Sequence, residues 1–199
     1  MVPELHTRQR VVAMDTTMLF TERSIWTMIH GIVLGGGALM ALAAAMFSLW
    51  AMRTADAPAG LAPDPRVHRE SRYLAGLMVF TAVVLWLTVI VGTYVSFPPY
   101  RATPPEGLAD LRQYPRALIM SSPGTRWLHS FAMEIKEHTP WIAAMIATAV
   151  AFVSVQYRSV LLRERRLRNM AMTLLVVCFA LVAFIALLGT FINKVAPVE

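Results

Sequence analysis

The chain has 199 residues, of which 57% are hydrophobic and only 15% charged, whereas an average soluble domain carries roughly 25% charged residues. A disordered tail, a collagen-like repeat and a disulfide-stapled secreted domain are excluded, the last because Cys178 is the single cysteine, and a water-soluble enzyme does not fit either. The formal net charge of +6 does not point to nucleic acid, because the basic residues sit in short stretches between apolar runs, where they report membrane orientation.

Residues 1–23 are too polar to form the apolar core of a signal peptide, and the run that follows continues to full spanning length. They are read as an N-terminal segment, with His6 solvated, ahead of one domain over residues 24–199. Four apolar spans are predicted in that domain, at about residues 24–52, 73–97, 138–157 and 169–193. A bilayer core needs about 20 apolar residues per helix, and a helix satisfies its own backbone in lipid. The two-residue alternation of a membrane barrel strand is absent. The expected fold is all-α: an integral membrane four-helix bundle in contact with the lipid bilayer, with a long ordered loop on its outer face. Cys178, in the middle of the fourth span, reads as a small buried apolar residue. The thirteen methionines show no repeated Met-x-x-Met clustering and read as flexible apolar filler.

Four crossings return both termini to one side, called X, and leave two connections on the other, called Y. The Y connections carry Arg53, Arg66, Arg69 and Arg72, then Arg158, Arg163, Arg165, Arg166 and Arg168. His68, in the first of them, reads as solvated. The density of these arginines assigns Y to the cytoplasm and X to the outside of a cell inner membrane, with both termini outside. The longest connection, residues 98–126, lies at X. Its prolines, together with Tyr100, Arg101, Arg112, Tyr114, Arg116 and Arg126, favour an ordered lid at the interface over a linker. Tyr100 and Trp127 also suit plain interfacial anchors.

All four spans bring polar groups toward X. Span one carries His30 about two turns in, and span two ends with Thr93, Tyr94 and Ser96. Span three is preceded by His129, Glu134, Lys136 and Glu137, with His138 at its mouth, and span four ends with Thr190, Asn193 and Lys194. The Y halves have nothing comparable. Polar groups within a membrane are costly and mark sites. Two histidines on two helices at similar depth suit axial ligation of one haem b, and His30 with His138 is the best pair. Pro140 is expected to kink or start the third helix just after His138. Arg101, Arg126 and Lys136 on the rim match haem propionates or are solvated loop charges. The glycines after His30 admit a flat group or a close-packed helix.

The same patch supports two other readings. Glu134 and His138 share a helical face and, with His30 or His129, suit a non-haem metal ion. Tyr94, His138 and Glu134 suit a quinone at interface depth.

With four spans, His30 on the first and His138 on the third, the chain resembles in architecture the small four-helix b-type cytochrome subunits that anchor respiratory enzymes and exchange electrons with quinone. It lacks the histidine pairs near both faces of the two-haem cytochrome b561 pattern, so the resemblance implies at most one haem, near X. It further implies a membrane subunit of a respiratory or photosynthetic-type electron-transfer complex, binding haem b, quinone or both. Its partners would be other subunits and a periplasmic redox protein. An accessory or electron-transfer subunit is expected rather than a stand-alone enzyme. The alternative is a non-catalytic scaffold subunit, its outer loop docking a partner.

Overall fold

The computed structural model describes residues 20–54 and 65–197, and among them all side chains except those of residues 53, 54 and 65–68. The expectations for His6, Arg53, Arg66 and His68 therefore lie outside what is described. Among the described residues there are helices and turns and no strand. Four helical stretches are long and apolar enough to cross a membrane: Glu22–Met52, Arg69–Arg101, Leu128–Gln156 and Arg165–Val195, called spans one to four.

Each span has 29 to 33 residues, well beyond the ~20 that a hydrocarbon core requires. The surplus lies largely at X, where the polar residues are. The third helix departs most from its expected bounds. It begins at Leu128, so that His129, Glu134, Lys136 and His138 are all helical, and Pro140 lies inside it, not at its start. A proline ring removes one N–H from the helical ladder and crowds the carbonyl four residues back. Here that costs the helix one internal bond without ending it.

The centre of the bundle is built from one stripe of each span. Leu42 and Leu49 of span one, Leu74, Met78 and Leu85 of span two, and Leu175 and Cys178 of span four are nearly or wholly buried. Span three contributes small residues, Ala143, Ala144 and Ala147, which let its neighbours approach closely. The Cys178 thiol donates to the Ala143 carbonyl at 3.4 Å, so the cysteine is a buried packing residue, as the sequence suggests. Several polar residues in the middle of the spans pair locally or across helices. Thr81, Thr88 and Thr148 donate to the carbonyls four residues back, and the Trp86 indole donates to Thr148 Oγ1 at 3.0 Å. Large apolar side chains such as Met40, Phe47, Phe80, Phe152 and Phe184 point outward. An apolar exterior around a bundle of this kind is what contact with lipid demands.

A second, smaller core closes the X end. The connection from span two to span three makes a turn at Pro105–Leu108, with Gly107 at φ 79°, the left-handed conformation that the third position of a type II turn requires. It continues through a bidentate Arg112–Asp110 ion pair at 2.7 Å, which holds the exposed Asp110 carboxyl down at about 2. A short helix, Pro115–Ser121, then drops Ile119 into a pocket formed by Tyr100, Leu128, Leu188 and Ile192. At the Y end, span three passes through Tyr157 into a short helix, Arg158–Arg163, and then into span four. Arg163, Arg165 and Arg166 are exposed there. Arg168 is not a loop charge: it is buried, with Nη1 donating to the Leu161 and Leu162 carbonyls at 3.2 and 2.7 Å.

Candidate functional site at the X end of the bundle

Three spans depart from α-helical winding at one end of the molecule. Span one runs as a π-helix over Ile29–Gly36, span two over Gly92–Ser96 and span three over Leu128–Met133. Wider turns of this kind are rare and gather at functional sites, because each one re-aims the side chains beside it. Glycine makes the wide turn easy in the first two, through Gly31, Gly35, Gly36 and Gly92.

The re-aimed residue in span one is His30. Its ring lies edge-on against Gly92: a methyl built on Gly92 would sit 2.6 Å from His30 Cε1 and 3.3 Å from each ring nitrogen. Only glycine leaves room for the imidazole at that position. The Thr88 carbonyl faces the same ring, and the Lys136 ammonium lies near enough to act on it electrostatically. Lys136 in turn lies along Gly189 of span four, where an added methyl would meet its Cε at 3.5 Å. Counted at 1.5 Å per residue, His30, Gly92, Lys136 and Gly189 all lie roughly 9–14 Å from the X ends of their helices. Two basic side chains, His30 held by the absence of a side chain at Gly92 and Lys136 in ordinary contact range of Gly189, thus lie at one depth. Glu137 is the acidic residue that bears on Lys136, but Lys136 makes no hydrogen bond or ion pair among the described residues.

Two polar atoms in this region are buried without a partner: His30 Nδ1 and Ser96 Oγ. Buried polar atoms are nearly always paired, and each exception calls for an explanation such as a bound group. Ser96 also lines a cleft of about 390 Å³ between the start of span one and the end of span two, with Thr21, Glu22, Trp26, Thr27 and Pro99 among the other walls. Thr21 caps span one there, its Oγ1 accepting from the Ser24 amide at 3.2 Å.

The remaining residues singled out from the sequence are placed elsewhere. His138 is exposed on the outside of span three, and its Nδ1–H donates to the Glu134 carbonyl at 2.8 Å. With His30 turned inward and His138 outward, the two rings do not line one gap of the described fold. His129 is half-buried and shares a 3.0 Å hydrogen bond with Tyr100, so the proposed anchor Tyr100 is instead a buried brace between the two ends of the connection. Tyr94 and Glu134 are exposed. The Arg101 guanidinium lies over the Phe97 ring, 5.3 Å from its centroid, and Arg126 Nε donates to the Met120 carbonyl at 3.1 Å. Both arginines are exposed and neither reaches the His30–Lys136 pair through a contact in the described structure. Among the described residues no three His, Cys, Asp or Glu side chains gather where they could hold a metal ion.

Of the predicted set, the fold therefore unites His30 and Lys136. Gly92, Gly189 and Trp26 complete the site and are not evident from sequence. A glycine opposite a histidine becomes visible only once the register between two helices is known. Ser96 carried a signal, as a hydroxyl at the X end of a span. Comparison of the chain with family models, with characterised proteins and with solved structures finds no match in any of the three.

Proposed function

We propose that this chain is a membrane subunit of an electron-transfer complex, and that the X end of its bundle holds a quinone, alone or beside one haem b. The observation that carries this reading is the interior position of His30, with a buried and unpartnered Nδ1, next to a lysine that has no carboxylate bonded to it. An ionisable pair kept inside an apolar bundle is costly unless a ligand uses it. Groups that donate hydrogen bonds or positive charge suit a ligand whose oxygens accept them, such as a quinone carbonyl or a haem propionate.

The residues present fit a quinone more directly than a haem ligated by two histidines of this chain. A quinone asks for polar contacts at one end of an apolar cleft. A haem b would need ligating side chains from two helices that border one gap. Among the described histidines His30 is the one turned into the bundle, and iron bound by it would supply reversible one-electron transfer. His138 has its Nδ1 engaged with a backbone carbonyl, which leaves Nε2 with the free lone pair, as in histidines that bind metal. Its exposed position suits a group shared with another subunit.

The test is to purify the chain, extract it for quinone and record a pyridine haemochrome spectrum. Bound quinone or haem b is expected, with loss of the bound group in His30→Ala. If wild-type protein isolated with its partners carries neither, the electron-transfer reading fails and the chain is a scaffold subunit.

A further inference from the structure

We infer that the cleft between the first turns of span one and the last turns of span two seats the head of a membrane quinone, with Ser96 and His30 as its hydrogen-bonding partners and Trp26 as a wall for its ring. The inference rests on the electron-transfer reading and names the substrate class and the seat.

The placement follows from helical spacing. Trp26 and His30 are four residues apart on span one, and Gly92 and Ser96 are four apart on span two, so each pair occupies one face, one turn above the other. Trp26 and Ser96 line the cleft, while His30 meets Gly92 one turn deeper. The His30–Gly92 contact thus lies one turn below the walls of the cleft and is not itself part of its lining. Of the two orphaned polar atoms, Ser96 Oγ belongs to a residue of the cleft wall, and His30 Nδ1 lies one turn deeper, beyond the lining, so a ring reaches it only by opening that further turn. A volume of about 390 Å³ is at the small end of the range for ligand pockets. It suits a single substituted ring whose hydrocarbon tail stays outside in lipid.

The chemistry also discriminates. Glu22 and Arg23 stand at the mouth and would meet the headgroup of a zwitterionic phospholipid. A phospholipid held there leaves both deeper orphan atoms unsatisfied. A flat ring with oxygen functions on opposite sides reaches inward to the hydroxyl and the imidazole while its faces lie against Trp26 and Val95.

The probe is an azido-substituted ubiquinone analogue, photolysed with the full chain in phosphatidylcholine nanodiscs and mapped by mass spectrometry. Labelling is expected within residues 21–27 and 95–99, and decylubiquinone should compete for it. Ser96→Leu, which fills the cleft, should weaken that competition at least about tenfold, the effect of one lost hydrogen bond with added bulk, while Ser96→Thr retains it. If Ser96→Leu does not fold, Thr27→Leu blocks the same cleft from span one. Saturable labelling elsewhere in the chain, or competition by phosphatidylethanolamine in place of decylubiquinone, overturns the seat and leaves the electron-transfer reading standing. Haem b without any quinone labelling does the same. Absence of both haem and labelling overturns both.

Discussion

A single hydrogen atom at residue 92 decides where His30 can lie. With a methyl in its place, the imidazole would have to leave its position, since 2.6 Å to a ring carbon is not tolerated. Gly92→Ala is therefore expected to destabilise the bundle by ~1–3 kcal/mol, as overpacked cores do. In His30→Ala the space opposite is empty, so Gly92→Ala added to that background should cost less, with a coupling of about 1 kcal/mol or more between the two changes. Thermal unfolding of the four proteins in one detergent measures it, and strict additivity would mean that the ring does not rest on Gly92. This contact also shows where sequence reading stops. His30 stood out because a histidine inside an apolar run is unusual whatever surrounds it. His138 stood out equally, yet the side of a helix on which it falls depends on where that helix begins. The third helix starts at Leu128, ten residues before His138, so no reading that began the helix at His138 itself could place its ring. The glycines opposite His30 and Lys136 carried no mark of their own in the sequence, because small residues line membrane helices for ordinary packing as well.

At the level of elements, the spans were legible and their joints were not. Twenty apolar residues in a row need no tertiary information to be recognised as a crossing, which is why all four were found, within a few residues at most ends. The Y-end corner shows the opposite case. An arginine close to a run of others reads as a solvated charge, but Arg168 turns back to close the preceding helix, donating to carbonyls at its C-terminal end. A cation at that position also meets the negative end of the helix dipole. Arg168→Met keeps the apolar stem and removes the donors. It is expected to cost about 1.5–3 kcal/mol, the range for hydrogen bonds from a charged group. Arg166→Met, two residues away and exposed, should cost less than a third of that by the same denaturation measurement. Equal effects of the two substitutions would make Arg168 a general surface charge after all.

For the whole molecule, the unequal ends are the informative feature. At the Y end the described joint from span three to span four is short and carries exposed arginines. The X end carries the second core, the three wide helical turns and the interior basic pair. If the arginine-rich end faces the cytoplasm, the site opens to the outside. A reporter fused after Glu199 that is active only outside the cytoplasm should then be active. Activity of a cytoplasm-only reporter at that point would reverse the assignment and put the site on the inner side. The fold itself does not depend on that outcome, since an apolar belt around four helices is the same belt in either orientation.

The wide turn in span one also shields the phase of that helix from a change in its length. A π-turn behaves as one residue more than an α-helix needs, so removing a single residue from Ile29–Gly36 would let the stretch rewind as ordinary helix. In an all-α stretch the same deletion would rotate one flank by about 100° against the other. Here the wide turn already absorbs the surplus residue, so deleting Gly36 would leave Trp26 on one side, and the stripe through Leu42 and Leu49 on the other, near their present orientations. What it would change is the aim of His30 within the stretch. The segment works as a slack link: one residue sets the direction of a single imidazole while the rest of the helix keeps its phase.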